Sequence, residues 1–295
     1  PYFDPANVDP DYQEFWSRTG VLNRIHKSAF NNPYALLGVC LANAATHIPA
    51  TTFAPSGDPI NLTVGVLGRG SGSGFSTTMR HGEDALPIAH TLHRWWLELE
   101  DYLEELSEHG NLAMTLDNGV SLETQVGDIL SRRGEQLLAL MDGRACEGTP
   151  ANSYRFTLRE SVYLKRGAVW LFHPEQVAAG LPQRYLFVPL WGPHGGMTRY
   201  QDGPMFALPK NWEPGTIPAP DGSGDDLEDL RLGRGSELHR AWIRLRFKVV
   251  VCLAALHGRA VPSALDWELS LTLLRLTQRL SWKTWDLSAR IEGRI

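Results

Sequence analysis

Apolar positions in this chain follow two different periods. Ile60, Leu62, Val64, Val66 and Leu67 form a short, β-branched run of buried-strand length. Tyr34–His47 is instead apolar almost all round, through Leu36, Leu37, Val39, Leu41 and Ala44, and predicts a deeply packed helix. Asn32 is placed to cap that helix and Pro33 suits its first position. Asp11–Phe30 predicts a helix with Phe15, Leu22, Ile25 and Ala29 to one side, weakened at Gly20. Arg80–His93 is mixed and predicts a helix or turn, and Ser121–Met141 carries a helical stripe from Leu122 to Leu140. Ser153–Lys165 and Ala168–Phe172 read as strands, His173 to Gly180 as a short helix, and Gln183–Val188 as another strand. Strands alternating with helices predict an α/β fold with a largely parallel sheet.

The pattern changes after Trp191. Gly, Pro and Asp dominate Gly192–Gly235, and Asp221–Asp229 reads as an acidic surface loop. From Glu237 the spacing is helical again, through Leu238, Trp242, Leu245, Val249, Cys252 and Leu256. Ser263 caps a further helix carrying Leu265, Leu269, Leu273, Leu276 and Leu280. The expected organisation is an N-terminal helical portion over 1–50, an α/β core over 51–191, a connection over 192–236 and a C-terminal helical lid over 237–290.

Composition narrows the function classes. With 43% hydrophobic and 21% charged residues, the chain has the profile of an ordinary soluble globular protein. A net charge of −5 argues against a wholly basic nucleic-acid coat and leaves room for a local basic face. The longest clean apolar run, Val249–Leu256, is too short to span a bilayer, and no signal peptide is visible. No membrane partner is therefore expected, and a cytoplasmic location is. Cys40, Cys146 and Cys252 lack metal-type spacing, and buried free thiols are expected for Cys40 and Cys252. His47 has no metal-spaced partner and reads as a capping or surface residue. The chain begins at Pro1, as a trimmed piece would, and Ile291–Arg294 has the sequence of a protease site and is given no role.

The chemistry centres on the residues after the Ile60–Leu67 run. Gly68, Gly70, Gly72 and Gly74 are followed by Phe75, Ser76, Thr77 and Thr78. A strand, a glycine-rich turn and a hydroxyl pair outline a phosphate-binding loop, where main-chain N–H groups and a helix N-terminus cradle phosphate oxygens. Against G-x-x-x-x-G-K-[ST], Gly74 and Ser76 fit, Phe75 takes the lysine position and Arg69 takes the first glycine. The loop is thus a degenerate phosphate loop, or a glycine-rich connection with no ligand. Arg94–Asp101 is an apolar run ending in acids, so Glu98, Glu100 or Asp101 could orient Mg²⁺ and water; it is equally the start of an acidic helix. Arg240, Arg244 and Lys248 recur every four residues along one helix face, as a phosphate-contacting stripe or a solvated surface.

Several segments taken in order resemble a known family. They are Asn32–Val39 through Ile60–Val64, Leu99–Leu103, Asn152–Arg155, Leu181–Leu186 and Leu245–Glu268. Together they resemble the RecA-like P-loop ATPases, primase-associated or helicase-like, of actinobacterial plasmids, prophages and integrative elements. The resemblance implies a RecA-like P-loop NTPase-type sheet with helices on both faces and ATP with Mg²⁺ as ligand. It places nucleotide binding on Gly68, Gly70, Gly72, Gly74, Ser76 and Thr77, and metal binding on Ser76, Glu100 and Asp101. Arg184 would be a sensor or finger arginine beside Glu100 and Asp101 in catalysis. The implied partners are DNA through Arg240, Arg244 and Lys248, and other copies of the chain or a replication protein. The missing lysine departs from the family. So does the short spacing between the glycine loop and the acidic run, which leaves little room for a helix and a strand. The function expected is an ATPase-like motor or switch of mobile-element DNA replication. The alternative is a non-enzymatic relative that binds a partner protein or DNA. A serine hydrolase fits poorly, because no G-x-S-x-G elbow surrounds Ser71 or Ser73.

Overall fold

A computed structural model of the chain describes residues 12–70, 72–89, 92–94, 110–116, 123, 126–145, 150–164, 167–191 and 205–294. Two short helices, α1 (Tyr12–Ser17) and α2 (Gly20–Ser28), lead into α3 (Pro33–Thr46). The single helix expected over Asp11–Phe30 is broken because Thr19 is extended and its hydroxyl caps α2 by accepting from Leu22 N–H. In α3 every residue is buried, as its all-round apolar sequence requires. Asn32 caps it as expected, accepting from Tyr34 N–H at 2.9 Å with Pro33 behind it.

Among the described residues seven strands follow: β1 (Thr52–Phe53), β2 (Leu62–Gly68), β3 (Leu92–Arg94), β4 (Asn111–Leu116), β5 (Arg155–Tyr163), β6 (Tyr185–Pro189) and β7 (Gly215–Thr216). Five of them form one sheet in the order β3-β4-β5-β2-β6 with every pair parallel, while β1 pairs with β7 separately. The expected parallel α/β architecture is therefore present. All of β2 is buried, Thr63 included, which explains its predominantly apolar sequence.

Helices cover both faces of this sheet. On one face α3 lies close, because a Cβ at Gly38 would come within 3.0 Å of Val188 and 3.2 Å of Val64. Beside it runs α4 (Phe75–Ala85), tied down by Asn43, whose amide donates to the carbonyls of Gly82 and Leu86. Arg159, buried in β5, completes the joint: it donates to Asn43, to Glu83 of α4 and to Thr115 of β4. The chain continues through α5 (Arg132–Asp142), α6 (Gly167–Leu171), α7 (Pro174–Ala178), α8 (Gly224–Arg231), α9 (Glu237–Leu256) and α10 (Ala264–Ile291). The opposite face is covered by α6 and α10; Thr277 of α10 donates to the Phe187 carbonyl of β6. Between α3 and α10 lies α9, so 237–290 shares one hydrophobic core with the sheet.

Three further expectations change. Ala168–Phe172 is not a strand, because Gly167–Leu171 is helical; a short apolar run does not distinguish the two. Within Ser121–Met141 the helix is interrupted rather than continuous: Glu123 and Val126 are helical, Gly127 is left-handed, and a new helix starts at Arg132, where Ser131 caps by accepting from Gly134 N–H. The acidic stretch Asp221–Asp229 contains α8 rather than a loop, with Asp225 and Asp226 in the first turn where the dipole favours them.

Candidate functional site

The glycine loop stands at the carboxyl edge of the sheet, immediately after β2. Its glycines serve two purposes. Gly70, Gly72 and Gly74 have φ of 156°, 79° and 91°, which side-chain-bearing residues rarely adopt. At Gly68 the reason is close approach, since a Cβ there would lie 2.4 Å from the Phe75 ring. Phe75 is folded back over the strand end, 4% exposed, with its ring edge-on to Tyr163 at 5.1 Å. The residue at the lysine position is thus an apolar anchor holding α4 against β5.

Polar contacts fix the rest of the loop. Ser73 closes it, accepting from Gly70 N–H and donating to the Gly70 carbonyl at 2.6 Å. Asn31 donates to the Gly74 carbonyl and to Thr78 Oγ1, linking the loop to the start of α3. Gly74 brings no side chain to cap α4, so the helix begins at the loop without a side-chain acceptor. Ser76 and Thr77 lie in its first turn, Ser76 half-buried and Thr77 exposed. Arg69 is exposed at the end of β2. What the arrangement offers an anion is main-chain N–H and the positive end of an 11-residue helix.

The topology makes this edge a switch point. From β2 the chain leaves to α4 on one face, whereas from the adjacent β5 it leaves to α6 on the other. Adjacent strands with exits to opposite faces define the switch point at which open parallel sheets bind ligands.

Of the remaining predicted site residues, those that are described lie away from the loop. Glu98, Glu100 and Asp101 lie outside the described residues. The strand leading towards them, β3, is at the sheet edge, with β4 and β5 between it and β2. β4 is nearer, and its apolar run Leu112–Leu116 is followed in sequence by Asp117, which also lies outside the described residues. An apolar strand followed directly by aspartate is the sequence signal of a metal-orienting acid at this position.

Arg184 is at the opposite edge. It directly precedes β6, whose Tyr185 pairs with Thr63 near the start of β2; Gly68 is about 16 Å further along the strand. The guanidinium is fully engaged: it holds Asp142 with two bonds of 2.7 Å and donates to the carbonyls of Ala179 and Gly180. It therefore does not meet this chain's own glycine loop, and its visible role is to join α5, α7 and β6.

The basic stripe of α9 faces the same lower edge. Arg240 donates to the Gly233 and Gly235 carbonyls, and Arg244 lies 3.7 Å from Asp58. Lys248 is half-buried; burial lowers its pKa, as do the charges of Arg184 and Arg155, against Asp58 and Asp142. These groups line a cleft of about 620 Å³ with Arg144 and Gln183. The stripe is thus partly matched by carboxylates and partly turned inward, unlike an open phosphate-tracking face.

Cys40 and Cys252 are buried free thiols, as expected, and burial pushes both up to about 12. Among the described residues no group of His, Cys, Asp and Glu has metal-site geometry. His47 accordingly caps α3, and its ring lies 2.7 Å from the Pro87 carbonyl. None of the helices among the described residues is long and apolar enough to cross a membrane. Comparisons with protein-family models, with curated proteins and with solved structures find no match to this chain.

Proposed function

We propose that the chain is a RecA-like nucleotide-binding module acting in the DNA replication or maintenance of a mobile genetic element. Its ligand is ATP with Mg²⁺, and hydrolysis is weak or lost. The observation that carries this is the unit β2–glycine loop–α4 at the switch point between β2 and β5. The strand order agrees with the RecA-like reading, because the loop strand stands between the two core strands that come last in the chain. The phosphates would lie against the N-terminal turn of α4, with the Ser76 and Thr77 hydroxyls on its rim. Mg²⁺ would be bound between the phosphates and Ser76, with an acid from Glu100, Asp101 or Asp117.

Weak affinity follows from Phe75. Replacing a charged contact by an apolar anchor removes about 1.5–3 kcal/mol, which puts the dissociation constant for ATP in the roughly micromolar-to-millimolar range. Calorimetric titration with ATP and GTP, with and without Mg²⁺, tests this directly. Nanomolar affinity would overturn the degenerate-loop reading. Absence of binding at millimolar nucleotide would overturn the nucleotide reading altogether. A second reading, a non-enzymatic module that only binds a partner protein or DNA, is favoured by the burial of Phe75 and the Ser73 closure, which make the loop self-sufficient.

A further inference from the structure

Beyond its packed stripe, α10 turns an aromatic and basic face to solvent. Leu273, Leu276, Leu280, Thr284 and Ser288 are buried at helical spacing. On the other side Arg275, Arg279, Trp282, Lys283, Trp285 and Arg290 are exposed. Trp282 is 62% and Trp285 37% exposed, and their rings stand edge-to-face with centroids 6.3 Å apart. A contiguous pair of exposed indoles rimmed by charged side chains has the make-up of an interaction surface.

The charge on this face is one-sided. From Arg275 to Arg290 there are four cations and one carboxylate, Asp286, in a chain whose net charge is −5. Arg290 pairs with Asp286 at 3.0 Å. Among the described residues, Arg275 and Arg279 have no carboxylate or hydrogen-bond partner. Helical geometry puts the four cations in a sector of about 80°, with successive members of Arg275, Arg279 and Lys283 about 6 Å apart along the axis. The two indoles border that sector on one side.

We infer that this face of α10 is a docking surface for single-stranded DNA. The phosphates follow the row of cations, and unstacked bases lie on Trp282 and Trp285. A duplex keeps its bases stacked internally and would leave the indoles without partners. A polyanion fits the unmatched arginines here better than the α9 stripe, which Asp58 and Asp142 already oppose. The inference rests on the DNA-directed part of the proposed function; nucleotide binding at the glycine loop does not enter it.

The test is binding of a fluorescent oligothymidylate at low and rising salt, with indole fluorescence followed in parallel. The expected result is quenching on binding, and a loss of about tenfold or more in affinity for the Trp282→Ala/Trp285→Ala variant. Arg275→Gln/Arg279→Gln should lower the log–log salt slope by about 1.4, whereas Arg240→Gln/Arg244→Gln/Lys248→Gln should leave it unchanged. Circular dichroism of each variant establishes that it is folded; the substituted side chains are exposed, so folding is expected. Unchanged affinity and slope in both α10 variants would overturn the surface. If only the α9 variant loses binding, the DNA reading stands and α10 is not the surface. If the unmodified chain binds no oligonucleotide at low salt, or prefers vesicles of anionic lipid, both the surface and the DNA-directed reading fall.

Discussion

Buried charge decides much of this structure at the level of single residues. Arg155 and Arg159 are both at 1% exposure in the central strand β5, yet each is held by oxygens. Arg155 donates to the carbonyls of Ile48, Pro49 and Thr52, between the end of α3 and the start of β1, and burial lowers it to about 10. At the lower edge, burial pushes Asp142 up, but its bonds to Arg184 and the charges of Arg184, Lys248 and Arg144 outweigh this. Its carboxyl therefore sits below the ordinary value. A depressed carboxyl contributes stability that is present above its unfolded pKa and is lost as pH falls through the folded one. Urea unfolding at pH 7 should show Asp142→Asn destabilised by about 1.5–3 kcal/mol. The deficit should begin to shrink as pH is lowered below about 4, where Asp142 of the unfolded chain takes up a proton, and should vanish once pH passes the depressed folded value. A deficit independent of pH would show that the charge of Asp142 is not what joins these elements.

Among the elements, α3 organises the fold, and its N-terminus joins it to the candidate site. Asn32 does two things: its oxygen caps Tyr34 N–H and its amide donates to the Trp191 carbonyl just beyond β6. Asn32→Ala should cost about 1–2 kcal/mol for the cap alone, and more for the carbonyl left unpaired. Asn32→Asp keeps the cap and loses the donor, so denaturant midpoints should rank native, then Asp, then Ala. Equal losses for both variants would assign the stability to the Trp191 bond instead. This helix was legible from its sequence because cap, proline and all-round apolarity agree. So were β2, α9 and the capped start of α10, where Ser263 and Asp266 form a capping box. Less legible were elements whose short sequences suit two states. Gly167–Leu171 is as apolar as a strand, and α8 is as acidic and glycine-flanked as a loop.

At the scale of the whole molecule, the parallel sheet has two chemically different ends. The carboxyl end carries the glycine loop and the uncapped start of α4; the amino end carries Arg184, Asp142, Lys248 and Arg244 around a cleft. This division was available from chain order alone. Gly68 follows its strand and Arg184 precedes its own, so a parallel sheet must send them to opposite edges. Arg184 therefore lies away from this chain's own glycine loop. The exposed indoles were also legible, since Trp282 and Trp285 fall off the Leu269–Leu280 stripe. What the sequence could not show was the Phe75 ring folded onto Gly68, a contact made by the turn itself.

Phosphate binding is proposed at the carboxyl end of the sheet, on the main chain of the glycine loop. Amide NMR mapping of the labelled full chain during titration with Mg²⁺–ATP tests it most directly. The largest shifts are expected on Gly70, Gly72, Gly74 and the first turn of α4 through Thr77, with Arg184 and Lys248 unmoved. Shifts concentrated on Asp142, Arg184, Arg244 and Lys248, with the loop silent, would contradict it and place the anion site in the cleft at the other end of the sheet.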